Sequence, residues 1–192
     1  MNGHRVCLAD VTPQPWRNGG GITRELLAWP QPADWQLRVS VAEIERDGPF
    51  SPFPGTERWF AVIDGAGVEL AWAGGTTTLR CGDAPLNFTG EAATACRLLQ
   101  GPTRDLNLMH RLGHGMASMR QASAGRGLEG GLPWRGLYVG DAALVDLGEQ
   151  TESMDAGSLL WDESEPFAPP TPPWRLLSAG RAWWLMLDAR CA

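Results

Sequence analysis

The chain has 192 residues, 43% hydrophobic and 20% charged, with a formal net charge of −6. This is length enough for one full domain or two small fused ones, and an acidic chain with no basic run excludes the electrostatic footprint of a nucleic-acid binder. No window reaches the roughly 18 uncharged apolar residues of a membrane span, and the N-terminus MNGHRVCLAD has no apolar signal core, so no membrane partner and a cytoplasmic location are expected.

The first informative stretch is PWRNGGGITREL (15–26), three consecutive glycines between a polar pair and an apolar run. All 16 basic residues are arginine, so a phosphate loop would lack its lysine, and the following ITRELLAWP is short and ends at a proline instead of opening a helix. Two readings survive. The glycines form a bend that lets strands cross closely, or a bend that carries Trp16, Arg17 and Asn18 to the mouth of a barrel.

WQLRVSVAEI (35–44) alternates, with Leu37, Val39 and Val41 on one side and Arg38 and Ser40 on the other. A solvent-facing side of an antiparallel sheet would look the same; in a small barrel the polar side would turn inward, Arg38 holding a carboxylate and Ser40 hydrogen-bonding it. RWFAVIDGAGVELAW (58–72) reads as two strands joined through Asp64-Gly65-Ala66-Gly67, whose glycines accept positive φ. TTTLRCGDAPLNFTGE (76–91) and ACRLLQGPTRDLNLM (95–109) continue the pattern. With no long segment of helical period, the class is mainly β.

HRLGHGMASMRQASAGRGLEGGLPW (110–134) is rich in Gly, Ser and Ala, and is expected to be a mobile connection over 111–133. Beyond it the grammar repeats: RLLSAGRAWWLML (175–187) aligns with RLLQGPTRDLNLM (97–109). Asp105 and Asn107 alternate on the first of these strands, and the aligned positions of the second are Trp183 and Leu185. Polar groups on an apolar strand need partners, so a unit of residues 1–110 reads as functional and one of 134–192 as structural.

Cys7, Cys81, Cys96 and Cys191 stand singly, without metal or dithiol spacing, and are expected to be reduced and mostly buried. Trp59, Trp72, Trp134, Trp161, Trp183 and Trp184 lie in strand-like runs and read as packing residues, while Trp16 and Trp174 follow prolines and read as rim or dimer contacts. PFAPPTPPW (166–174) reads as a rigid loop.

PWRNGGGITREL, RVSVAEIERDGPFSPFPGTERWFAVIDGAGVEL and GPTRDLNLM, in that order, resemble the signature of the HutD/Ves family of the cupin superfamily. The resemblance implies a bicupin, two double-stranded β-helix (jelly-roll) barrels in one chain, paired as a homodimer. It also implies binding of a small anionic metabolite of histidine catabolism such as N-formylglutamate, with a regulatory role in histidine utilisation. In such a pocket the residues expected to bind the ligand are Trp16, Arg17, Asn18, Gly21 and Thr23 of the glycine segment, Arg38, Ser40, Glu57, Arg58, Asp105 and Asn107. Cupins that hold a metal do so through histidines, but here Glu57-Arg58 stands where a histidine pair would. The three histidines are His4, His110 and His114, the last two placed at the start of an exposed connection. No metal, no cofactor and no catalytic residue is assigned. An enzyme acting on a small carboxylate, with or without metal, and a protein-interaction module are the competing readings.

Overall fold

The computed structural model describes residues 3–91, 94–164, 171–178 and 180–188. Cys191 and positions 166–170 of the proline-rich stretch lie outside them. Two compact units divide the chain, one of Val11–His114 and one combining the segment up to Asp10 with everything from Gly115 on. The first strand, β1 (His4–Cys7), therefore belongs with the C-terminal half, where His4 pairs Trp161 and Cys7 pairs Ser158. That corrects the expected N-terminal unit of 1–110.

The unit of 11–114 contains β2 (Gln14–Pro15), β3 (Gly21–Trp29), β4 (Leu37–Ile44), β5 (Gly48–Pro49), β6 (Thr56–Asp64), β7 (Val68–Trp72), β8 (Gly75–Leu79), β9 (Leu86–Thr89), β10 (Ala95–Leu98) and β11 (Thr103–Arg111). They form two antiparallel sheets of order β2-β3-β4-β11-β6-β9 and β5-β10-β7-β8. Gly65 and Gly67 take the expected positive φ, at 92° and 119°. The strands they join do not form a hairpin ladder, because β6 stays in the first sheet and β7 enters the second. Phe60, Val62, Val68, Leu70 and Cys96 pack into one core cluster. Sealing an aliphatic or aromatic side chain of this size from water contributes roughly 1.5–3 kcal/mol.

The other unit adds β12 (Met116–Gln121), β13 (Gly127–Leu128), β14 (Trp134–Val139), β15 (Ala143–Asp146), β16 (Thr151–Met154), β17 (Ser158–Glu163), β18 (Trp174–Leu176) and β19 (Ala182–Asp188). Its sheets run β1-β17-β14-β19-β12 and β13-β18-β15-β16. The stretch 111–133 is therefore not simply a connecting loop: alternate apolar residues Ala117 and Met119 are buried, and β12 pairs β19 along its whole length.

Eight strands of each unit follow one order. β4-β11-β6-β9 matches β12-β19-β14-β17, and β5-β10-β7-β8 matches β13-β18-β15-β16. The duplication seen weakly in sequence is a duplication of topology. The sequence alignment is one residue out, however. Met109 lies opposite Arg58 as Met186 lies opposite Arg135, which makes Trp184 the counterpart of Asn107, and Ala182 that of Asp105. Both counterparts join the core cluster of their unit, whereas Trp183 and Leu185 point to the other side of the strand. Trp174 is also core, 2% exposed, and not a rim residue.

Among the described residues, no helix is long and apolar enough to cross a membrane.

Candidate functional site

Strand register assembles the site. On the inner face of the larger N-terminal sheet, Arg38 of β4, Met109 of β11, Arg58 of β6 and Phe88 of β9 lie in one row. Ser40, Asn107, Phe60 and Leu86 form the next row, and Ala42, Asp105 and Val62 the one beyond. Thr23, opposite Ala42, and Glu25, opposite Ser40, extend the face onto β3. The polar side of WQLRVSVAEI thus faces inward. Its apolar side is buried too, through Leu37, Val39 and Val41, so the strand is covered on both sides.

The β2–β3 hairpin closes one end of this face. Gly19 N donates to Trp16 O at 3.0 Å and Trp16 N to Gly21 O at 2.9 Å, a tight loop that Gly19 completes at φ 67°. Gly20 O accepts from Glu45 N at 2.9 Å, and a Cβ on Gly21 would lie 2.2 Å from Glu43 O. The glycines therefore serve both readings at once: they let β3 approach the β4 end closely, and they carry Trp16, Arg17 and Asn18 to the rim. Asn18 Oδ1 accepts from Gly20 N at 3.0 Å, and Trp16 Nε1 donates to Thr23 Oγ1 at 2.7 Å.

These residues enclose a cavity of about 760 Å³, within the range of small-molecule sites. Its wall includes Trp16, Arg17, Asn18, Thr23, Arg38, Ser40, Arg58 and Asn107 from the expected set. Three expected residues are elsewhere. Gly21 is buried against Glu43. Glu57 points to the opposite side of β6, its Oε2 3.9 Å from His110 Nε2. Asp105 is fully buried and does not line the cavity. His110, expected in an exposed connection, is 1% exposed within β11.

Sequence reasoning missed Phe50, Phe53 and Met109, which supply much of the apolar wall. Met109 could have been found by continuing the Asp105–Asn107 alternation by two residues. The PFSPF segment has no period from which to infer facing.

The charge in the cavity is cationic. Arg17, Arg38 and Arg58 line it, and no Asp or Glu does. Arg38 Nε donates to Glu25 Oε2 at 2.6 Å, and its guanidinium sits 5.8 Å from the Phe53 ring centre. Arg58 donates to Asn107 Oδ1 through Nε at 2.8 Å and through Nη2, and lies over Phe50 at 4.4 Å. Among the described residues, neither Arg38 Nη group nor Arg58 Nη1 donates a hydrogen bond to the protein. Burial lowers Arg58 to about 10, with Asp105 opposing the fall, so the guanidinium stays charged at neutral pH. Asp105 accepts from Thr103 Oγ1 at 2.8 Å and has no partner at Oδ1; burial pushes its carboxyl up to about 7. Burial likewise raises the Cys96 thiol to about 12, which removes it as a nucleophile. Cys7 is half-buried and Cys81 exposed, so among the described cysteines only Cys96 is as buried as expected.

Among the described residues, no three His, Cys, Asp or Glu side chains come together in a group that could hold a metal ion.

Comparison with known proteins supplies the lineage. The HutD family model matches residues 8–172. An uncharacterized 21.2 kDa protein in the hutC 3' region of Pseudomonas putida is 35% identical over 103 residues, 53% of this chain and 54% of that one. Protein Ves of Citrobacter koseri is 35% identical over 118 residues, 59% of this chain and 62% of that one. The matched part of the chain thus spans about half to three-fifths of these curated relatives. Among solved structures, HutD from Pseudomonas fluorescens SBW25 superposes with a TM-score of 0.86 at 26% identity, covering 98% of this chain and 100% of that one. A cupin 2 conserved barrel domain protein from Leptotrichia buccalis, 10% identical with 98% of each chain covered and a TM-score of 0.59, shares the fold. On the strength of the family match over most of its length, this mainly β, cupin-like chain belongs to the HutD family.

Proposed function

We propose that the cavity of the 11–114 unit binds a small anionic metabolite of histidine breakdown, of the N-formylglutamate type, and that its occupancy regulates histidine utilisation. The observation that carries this reading is the charge of the wall: three lining arginines and no lining carboxylate, with both Nη groups of Arg38, whose Nε is paired to Glu25, and Nη1 of Arg58 free. Free guanidinium donors in an apolar surround suit carboxylates, because charge-assisted hydrogen bonds strengthen where water is excluded. Two carboxylates match two arginines, and the Phe50 and Phe53 rings accommodate the carbon chain between them. The link to histidine utilisation comes from the family and from the hutC-region relative. The two units of equal strand order are, on this reading, the two halves of a bicupin, of which the first holds the ligand, and the protein works as a homodimer.

A thermal-shift titration with histidine, urocanate, formiminoglutamate, N-formylglutamate and glutamate, with and without Fe(II), Zn(II) or Mn(II), tests the proposal. A ligand that binds only the folded state raises the melting temperature with concentration. A saturable shift with a formyl or formimino glutamate, independent of metal, is expected. A shift with metal alone, or none across the panel, overturns it.

A further inference from the structure

Arg58 has a counterpart in the other unit, and the two are held differently. Arg135 occupies the corresponding place, opposite Met186 as Arg58 is opposite Met109. Across β17 Arg135 faces Asp162, and the two form a buried bidentate pair: Nε to Oδ1 and Nη2 to Oδ2, each at 2.8 Å. Arg135 is 0% exposed and its guanidinium lies 4.5 Å over the Trp174 ring. Its charge is spent internally.

Across β9, Arg58 faces Phe88 instead of an acid. The fork that a carboxylate fills for Arg135 is filled for Arg58 by the amide of Asn107, through the same two nitrogens, Nε and Nη2. The amide's orientation is fixed from both sides. Arg58 offers only donors, so Oδ1 must face it, and Asn107 Nδ2 donates to the Asp105 backbone carbonyl at 3.1 Å. The guanidinium is thereby locked in place with no carboxylate bonded to it, Asp105 acting on it only through space.

We propose that Asn107 is a positioning residue that sets the charge preference of the cavity: it holds Arg58 as an acid would, without neutralising it, and so reserves Arg58 for an anionic ligand. The inference rests on the anion-binding reading of this cavity. It makes an unusual demand on substitutions. Aspartate matches asparagine in shape but delivers a counter-charge to the fork; leucine breaks the hydrogen bonds but leaves the charge. If Asn107 were only a packing residue, aspartate would be the milder change. If it sets the charge, aspartate is the harsher one.

The test uses nitrate, a planar monoanion of carboxylate-like shape, titrated into full-length protein with ¹⁵N-labelled arginine, following the Arg58 Nε–Hε NMR signal. In the wild type the signal moves saturably. In Asn107→Asp the apparent affinity falls at least about tenfold and further than in Asn107→Leu, which loses the brace but adds no counter-charge. Phe88→Asp, which places an acid where Asp162 stands in the other unit, reproduces the aspartate effect even if Asn107→Asp fails to fold. Overturning results are a wild-type signal that nitrate does not move, equal response in wild type and both aspartate variants, or Asn107→Leu worse than Asn107→Asp. If nitrate behaves as expected but none of the five metabolites binds, the metabolite reading falls and the role of Asn107 stands.

Discussion

Glu25 Oε2 accepts a hydrogen bond from Arg38 Nε at 2.6 Å, so Arg38 is braced through the inner nitrogen of its guanidinium and presents the outer two unpaired. Such an end-on pair matches the two oxygens of a carboxylate. Arg38→Ala should weaken binding of whichever metabolite shifts the melting temperature by at least about tenfold with the fold intact. Arg38→Lys should restore little of it, because a lysine is a point charge and cannot present two parallel N–H groups. Isothermal titration with circular dichroism as the fold control decides; unchanged affinity in Arg38→Ala removes Arg38 from the site.

Asp105 should make the protein less stable as the solution becomes more alkaline. Its carboxyl titrates at about 7 in the fold against 3.8 for the free group, with burial the main cause. Below about pH 4 both folded and unfolded chains hold the proton. Between about 4 and about 7 only the folded chain does, so stability declines through that window, and above it the full penalty persists. Asp105→Asn should flatten the melting profile over this range and melt above wild type at pH 8. A profile that keeps the wild-type slope would show that Asp105 ionises normally in the fold.

The glycine hairpin predicts opposite tolerances two residues apart. Gly21→Ala puts a methyl 2.2 Å from a backbone carbonyl oxygen that cannot move aside, and should cost about 1–3 kcal/mol in urea unfolding. Gly19 has nothing within 4 Å of a built Cβ and sits at φ 67°, a conformation that asparagine accepts better than other side chains. Gly19→Asn should fold with stability close to wild type. Equal effects at the two sites would mean the hairpin lacks the close approach described here.

The buried Arg135–Asp162 pair should be unforgiving of single changes. Asp162→Ala leaves a fully buried guanidinium without its counter-charge, and breaking such pairs costs about 3–5 kcal/mol. Arg135→Met combined with Asp162→Leu removes both charges and should be distinctly more stable than Asp162→Ala alone. Denaturant midpoints of the three proteins test this, and a double variant no better than the single would show that shape, not charge, dominates there.

Much of the N-terminal unit was legible in the sequence because short period-2 signals survive in it: Arg38, Ser40 and Asn107 were all placed by alternation, and all line the cavity. The glycine segment was legible because few residues other than glycine suit the positive φ at position 19 and the close approach at position 21. Other features depend on pairing partners far away in the chain. Nothing local to HRVC says that it completes a sheet with residues 158–161. The one-residue slip between Asn107 and Trp184 is invisible by eye, since Trp183, Trp184 and Leu185 are all apolar and only the ladder tells which faces the core. Glu57 was misplaced for a related reason. It adjoins Arg58, and neighbours on a strand point to opposite sides.

The docking of β1 onto β17 has a consequence for how the chain is made. The partner strand β17 is synthesised about 150 residues after β1. At about 5–20 residues per second, that strand waits on the order of ten seconds or more for its neighbour. Residues 11–114, by contrast, contain all the strands of their own two sheets. The half with the arginine-lined cavity can therefore be complete while its sister is still emerging, and β1 meets its partner strand only after that.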